Sequence, residues 1–476
     1  MKLKSLLLGS AAALALSTGA QAADPIASFV SLDVCDAYGI SGLTIASDDT
    51  CLKISGSVSY EFRWGDYGPA TTRGYFYHDG GGTSSIINDD GVIDWRSRLE
   101  TILQFEATTQ TDEGAARAVI RLRERQRSGG GDNATDRGHH LRAEQAYVSF
   151  GDTTVLSAGM KPSIARTGHG SPYNFLGLVN ANEADSAGGA DWRFGDHVRT
   201  GGTGFSVVSE FGDGFRAGVG LENINRWATP NPAGDPNRMV NDIITDPRAG
   251  TVVGFVEATG AWGGAHLTLM VDDALNGFED SVFAFHTGAT ANLDQFAVTA
   301  ALAGNSNEFF SGVLSGKGTF DLFTLAVSGE FASVGAGNSS NNTGEDLVGL
   351  GFGASVGFQV TDMIALNLGG RYWDADSGNK VADNTEIWDV ALQVAASVSE
   401  SLTATGTIGY EAAGSNAGNI NVAAYDLTTA GIPDDGAFYG EVGLAYAPGG
   451  GFATGGKLRV NSYGAYRVDL NASKSF

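Results

Sequence analysis

The densest run of chemistry-bearing side chains lies between residues 117 and 127. Arg117, Val119, Arg121, Arg123, Arg125 and Arg127 share one parity, while Ala118, Ile120 and Leu122 share the other. Alternate side chains of a β-strand point to opposite faces, so this spacing sets five guanidinium groups on one face, neighbours about 6.6 Å apart. Arg96 and Arg98 sit on the polar parity of the preceding alternating segment, and nine of the 21 arginines fall between residues 96 and 142, so the cluster is local. Like charges this close repel and persist only where water or carboxylates screen them. Facing hydrocarbon, each would cost about 2–4 kcal/mol at mid-membrane. A wet interior meets both demands. Arg96, Arg98, Arg121 and Arg123 are expected to line it, with Arg125 and Arg127 either beside them or in a solvated rim. Fixed cations there would order water and tune ion preference.

Other chemistry is thin. His78, His139, His140, His169, His197, His266 and His286 are scattered. His139-His140 has no spaced carboxylate or cysteine partner for a metal. His266 and His286 fall in strand-like segments, where a satisfied wall histidine is the simpler reading. There is no G-x-S-x-G nucleophile elbow and no Walker-type phosphate loop. Asn88-Asp89-Asp90-Gly91 and Pro433-Asp434-Asp435-Gly436 could hold loop calcium, but they lack EF-hand spacing and read first as turns. No metal and no cofactor is expected.

The elements that would position the arginines are strands. In residues 54–64, Ile54, Gly56, Val58, Tyr60, Phe62 and Trp64 alternate with Ser55, Ser57, Ser59, Glu61 and Arg63. Trp95, Leu99, Leu103 and Phe105 alternate with Arg96, Arg98, Glu100, Gln104 and Glu106. Further on, Val348, Leu350, Phe352, Ala354, Val356 and Phe358 alternate with Gly349, Gly351, Gly353, Ser355 and Gly357. Small polar residues on one face leave space inside, the reverse of a soluble sandwich, whose inner face carries the large apolar residues. The ten prolines read as lying outside the alternating segments, consistent with paired strands. Loops are expected near 66–91, 128–140, 161–195, 225–249, 333–346 and 411–436. Long connections at one end and short turns at the other fit a membrane barrel.

Composition narrows the class. Lys2 and Lys4, an apolar stretch from Leu6 to Leu16, and Ala20-Gln21-Ala22 read as a signal peptide over residues 1–22. Beyond it, 27 basic residues face 54 acidic ones, which makes nucleic acid an unsuitable partner. Glycine is abundant at 69 residues, proline scarce at 10, and aromatics reach 10%, which argues for order. No later stretch is apolar enough for a transmembrane helix. Cys35 and Cys51 are the two cysteines, and an exported chain makes one disulfide the default. Closing a loop of about 17 residues would stabilise the fold by about 3 kcal/mol in the chain-entropy account. Residues 23–53 thus read as a disulfide-closed segment ahead of a barrel over 54–476.

Val34-Cys35-Asp36-Ala37-Tyr38-Gly39 and Asp49-Thr50-Cys51-Leu52-Lys53-Ile54-Ser55-Gly56 resemble the N-terminal signature of alphaproteobacterial outer-membrane porins. The resemblance implies an all-β, antiparallel transmembrane barrel of 16 strands, a Cys35–Cys51 bond and a homotrimer passing small hydrophilic solutes. It also implies that residues 161–195 fold inward as a constriction loop, with Glu183, Asp185 and Asp191 opposite the arginines. Phe476 ends the chain as barrels recognised by the barrel-insertion machinery typically end, although Lys474 stands where that pattern calls for an apolar residue.

From the segments themselves, 16 strands are expected, with 18 as the alternative. The expected function is passive diffusion through a water-filled channel in an outer membrane, in contact with lipid and lipopolysaccharide. A sugar-selective barrel would instead need an inward aromatic row, for which Tyr372, Trp373, Phe309 and Phe310 are the candidates. A barrel phospholipase and a secreted all-β structural protein rank below these.

Overall fold

The computed structural model describes residues 43–46, 50–65, 76–78, 82–84, 94–130, 138–178, 200–224, 250–278, 281–336, 346–375, 385–413, 436–462 and 464–476. Among the described residues, twenty antiparallel strands form one closed barrel. They are β1 (Thr50–Gly65), β2 (Asp94–Thr111), β3 (Gly114–Gly130), β4 (Gly138–Phe150), β5 (Thr154–Lys161), β6 (Gly202–Gly212) and β7 (Phe215–Glu222). The ring continues with β8 (Thr251–Gly260), β9 (Gly263–Val271), β10 (Phe283–Leu293), β11 (Phe296–Asn305), β12 (Phe309–Phe320) and β13 (Phe323–Val334). It is completed by β14 (Leu347–Thr361), β15 (Ile364–Ala375), β16 (Thr385–Ser397), β17 (Leu402–Ala413), β18 (Ala437–Gly449), β19 (Phe452–Asn461) and β20 (Tyr466–Ser475). Each strand pairs with its chain neighbours, and β1 closes the ring by pairing with both β2 and β20.

The count of twenty corrects the expectation of 16 or 18 strands. The physical reason lies in the tight turns. Ala261-Trp262, Asp321-Leu322 and Asp362-Met363 join adjacent strands, and Trp262, Leu322 and Met363 are exposed apolar residues. Each of these turns is only two residues long and at least one of the two is apolar, so no polar stretch marks where one strand ends and the next begins. Where the turn carries a left-handed pair, as at Asp213 (φ 50°) and Gly214 (φ 77°), the sequence marks it clearly. Pro448 corrects a second expectation. It lies inside β18, where the register to β19 shifts between Tyr446 and Gly449, the kind of irregularity that tolerates a residue without an N–H.

Short turns lie at the end that carries Phe476, and the long connections lie at the other, where 306–308 and 462–465 are the short exceptions. Closure at the short-turn end is made by backbone. Gly56 N–H donates to the Phe476 carbonyl and Phe476 N–H to the Gly56 carbonyl, both at 3.0 Å. Below that pair, Leu43–Ala46 takes the edge of β1 along Cys51–Ile54. Cys51 is fully buried and disulfide-bonded; Cys35 lies outside the described residues. Lys474 stands opposite Val58 and Phe452, and its Nζ donates to the Gly450 carbonyl in the β18–β19 turn. The cation thus reaches the polar rim while its stem covers apolar surface.

Burial is inverted relative to a soluble protein. Val327, Ile408, Leu314 and Phe352 are about three-fifths exposed on the outer face, whereas Thr268, His286 and Glu330 on the other parity are buried. An apolar belt outside and polar side chains inside is the arrangement that hydrocarbon imposes on a barrel.

Candidate functional site

The connection after β5 does not leave the barrel. Residues 162–178 run along the inner wall, and successive strands supply a side chain to hold them. Glu222 of β7, itself 3% exposed, accepts from Ile164 N–H (2.8 Å) and Gly201 N–H (2.6 Å), tying together both ends of the loop. Thr268 of β9 accepts from Arg166 N–H and donates to the Arg166 carbonyl, each at 2.8 Å. Thr290 of β10 meets His169 Nδ1 at 2.6 Å, and Thr299 of β11 donates to the His169 carbonyl. Ser315 of β12 accepts from Tyr173 N–H at 2.8 Å, and Ser355 of β14 from Phe175 N–H at 2.9 Å. Leu176 then packs against Ala391 of β16 and Tyr439 of β18. A loop laid on a dry wall would orphan its amides; this track of hydroxyls satisfies them.

Glycines make room for the same path. A Cβ on Gly288 would lie 2.7 Å from the Gly168 carbonyl oxygen, and one on Gly353 would collide with the side-chain amide of Asn174. Lys317 places its ammonium 4.5 Å from the Tyr173 ring centre, a cation–π contact. Burial pushes the Tyr173 hydroxyl above its ordinary pKa, so it stays protonated.

Ion pairs line the wall from β4 round to β15, overlapping the loop's last contacts on β16 and β18. Arg123 of β3 lies between Glu100 of β2 (2.7 Å) and Glu144 of β4 (2.5 Å). Arg121 also binds Glu144, and Arg125 also binds Glu100, both at 2.8 Å. Arg98 meets Glu61 of β1 at 3.4 Å, and Asp469 of β20 joins Arg63 (2.8 Å) to Arg467 (2.7 Å). Further round, Arg459 of β19 holds both carboxylate oxygens of Glu411 of β17, at 3.0 and 3.2 Å, and its guanidinium lies 4.2 Å from the Tyr439 ring centre. Tyr439 donates to Asp389 (3.2 Å), which also pairs with Arg371 (3.3 Å). The belt of alternating charge runs from β4 through β1 and β20 to β15. Alternation is what lets so many guanidiniums share a wall, because each repulsion is offset by a nearer carboxylate.

Arg96, Arg98, Arg121, Arg123 and Arg125 therefore all lie on the inner parity, and the structure brings Arg121, Arg123 and Arg125 into one cluster. Arg125 pairs within the wall and is only 22% exposed. Glu183, Asp185 and Asp191 lie outside the described residues, and Lys161 belongs to β5 rather than to the loop. The aromatic candidates do not form an inward row. Tyr372 stacks on Phe352 on the outer face, and Phe310 is 46% exposed there; Phe309 and Trp373 are buried. Sequence reasoning missed Glu144, because a bulge between Arg121 and Leu122 brings it to the inner face. It also missed the hydroxyl track, although Ser355 stood on the small-residue parity.

With this geometry in view, comparison with known proteins is decisive. Residues 22–432 match the family model described as the porin subfamily. The chain belongs to that family. This porin is 27% identical to Porin Omp2a of Brucella ovis over 275 residues, covering 55% of this chain and 68% of the relative. It is 29% identical to Porin Omp2b of Brucella suis biovar 1 (strain 1330) over 311 residues, covering 63% and 72%. Among solved structures, an anion-selective porin from Comamonas acidovorans aligns over 90% of this chain and all of its own, at 13% identity and TM-score 0.38. An outer membrane channel of Acinetobacter baumannii, DcaP, aligns over 90% and 99%, at 13% identity and TM-score 0.34. What those channels select stays a property of those channels. The porin is an outer-membrane channel protein of Gram-negative type.

Proposed function

We propose that this porin is a general, passive diffusion channel for small hydrophilic solutes and ions, assembled as a homotrimer in the outer membrane after removal of residues 1–22. The observation that carries the reading is the division of the inner wall between a hydrogen-bonded loop and a belt of alternating charge. Charges of both signs on a wet wall order water across the path. An apolar solute must disrupt that order, whereas ions and polar solutes exchange into it. Glu183, Asp185 and Asp191 would complete the constriction opposite Arg121, Arg123 and Arg125. The channel is proposed to work without metal or cofactor and to carry no enzymatic step. Its outer belt contacts lipid and lipopolysaccharide, and Phe476 serves recognition by the barrel-insertion machinery.

Swelling of liposomes loaded with the purified protein tests the reading. With sugars of increasing size, rates should fall smoothly to a cutoff and should not saturate with concentration. A saturable rate for one sugar among others of equal size would replace it with a selective channel.

A further inference from the structure

Resting on the porin reading, we infer that the channel prefers small anions although the chain as a whole is strongly acidic, and that Arg117 and Arg142 set the preference. The inward loop lies on β7 through β18. The path it leaves open is therefore bordered on the far side by β20 and by β1 to β4. The charge of that wall can be followed pair by pair. Arg98 meets Glu61, and Lys53 stands opposite Glu106 in register, so these cancel. Arg121, Arg123 and Arg125 share two carboxylates, Glu100 and Glu144, and keep one positive charge. Arg117 and Arg142 add one each. Both lie on the inner parity, Arg117 opposite Ser149 and Arg142 opposite Arg123. Both are exposed, and among the described residues neither pairs with a carboxylate. From these residues alone the excess is three positive charges.

The other bank does not offset them. Residues 162–178 contain no Asp or Glu. Arg166 and Arg216 share Glu257 and Glu210, Arg459 holds Glu411, and Lys457 holds Glu441. The rest of the same connection, residues 179–199, has Glu183, Asp185, Asp191 and Asp196 against Arg193 and Arg199. Setting all of it in the path would remove two of the three charges and leave the sign. The net charge of −25 does not decide the matter, because a permeating ion senses charge within a Debye length, about 10 Å at 0.1 M salt. Arg142 stands towards the long-connection end and Arg117 towards the short-turn end, about 13 Å along β3 from Arg121. An anion thus meets a guanidinium before, within and after the cluster. Neither Arg117 nor Arg142 must break a pair with the wall to offer its fork of N–H donors to chloride, a carboxylate or a phosphate.

Reversal potential of the full chain in planar bilayers, across a KCl gradient centred near 0.1 M, tests this. One excess charge beside the path changes the anion-to-cation ratio about twofold at that salt, so chloride should be favoured over potassium by about twofold or more. Arg117→Gln with Arg142→Gln should lower the ratio about fourfold. Arg117→Lys with Arg142→Lys keeps the charge and should keep the chloride preference. A potassium-selective natural protein would overturn the inference, and this reading needs no variant to fold. An unchanged ratio in the Gln pair would overturn it too, as would a Lys pair that loses selectivity as the Gln pair does. Absence of any conductance steps from inserted protein would instead overturn the porin reading beneath it.

Discussion

Replacing Glu144 with Gln is the sharpest test of the charged wall. Arg121, Arg123 and Arg125 share two carboxylates, Glu100 and Glu144, so the cluster carries one net positive charge. Glu144→Gln raises it to two, and adding Glu100→Gln raises it to three. An ion passing about 8 Å from one extra charge in water gains or loses about 0.5 kcal/mol, which 0.1 M salt screens to about 0.2 kcal/mol. That enriches anions and depletes cations by about 1.4-fold each. The anion-to-cation permeability ratio should therefore rise about twofold for the single variant and about fourfold for the double. Reversal potential across a tenfold KCl gradient reads this ratio directly. At 1 M salt the Debye length falls to about 3 Å and the shift should vanish. Glu124→Gln is the control, since Glu124 is exposed on the outer parity of the same strand. The reasoning fails if Glu144→Gln leaves the low-salt reversal potential unchanged, or if Glu124→Gln shifts it equally.

Removing the loop's anchors should loosen it without unfolding the barrel. Ser315→Ala with Ser355→Ala deletes two hydrogen bonds to the loop backbone, each contributing about 0.5–1.5 kcal/mol, and open-channel current noise should increase; an equally quiet current would contradict the anchoring. Arg371→Met strands Asp389, whose side chain is 5% exposed, and should lower barrel stability by about 3–5 kcal/mol in thermal unfolding, with Arg371→Met plus Asp389→Leu recovering most of the loss. Leu314, outward-facing at the middle of β12, should cost about 2–4 kcal/mol of folding stability in lipid when changed to Arg. No penalty in a bilayer-refolding assay would place it away from hydrocarbon.

Parts of this were legible in the sequence because they are local. Side-chain alternation in β1, β2, β3 and β14 is a two-residue property, so the inner parity of Arg98, Arg121 and Arg123 could be read from spacing alone. Strand number was not legible, since turns such as Asp321-Leu322 and Asp362-Met363 carry apolar residues where a polar marker was needed. The partners of the arginines were not legible either. Whether Glu144 meets Arg121 depends on register and on a bulge, and both are fixed by pairing across the sheet. His266 and His286 read as wall histidines. Their stacking exists only because β9 and β10 are neighbours with Thr268 opposite His286. Ser315 and Ser355 looked like small fillers until a loop more than a hundred residues upstream was laid over them.

The account stands on a continuous wet path through the barrel, and conductance against salt measures that path most directly. Purified protein in a planar bilayer should give discrete, long-lived open steps at neutral pH whose size rises in near proportion to KCl concentration. Steps that level off at millimolar salt, or a bilayer that stays silent with folded protein inserted, would contradict it.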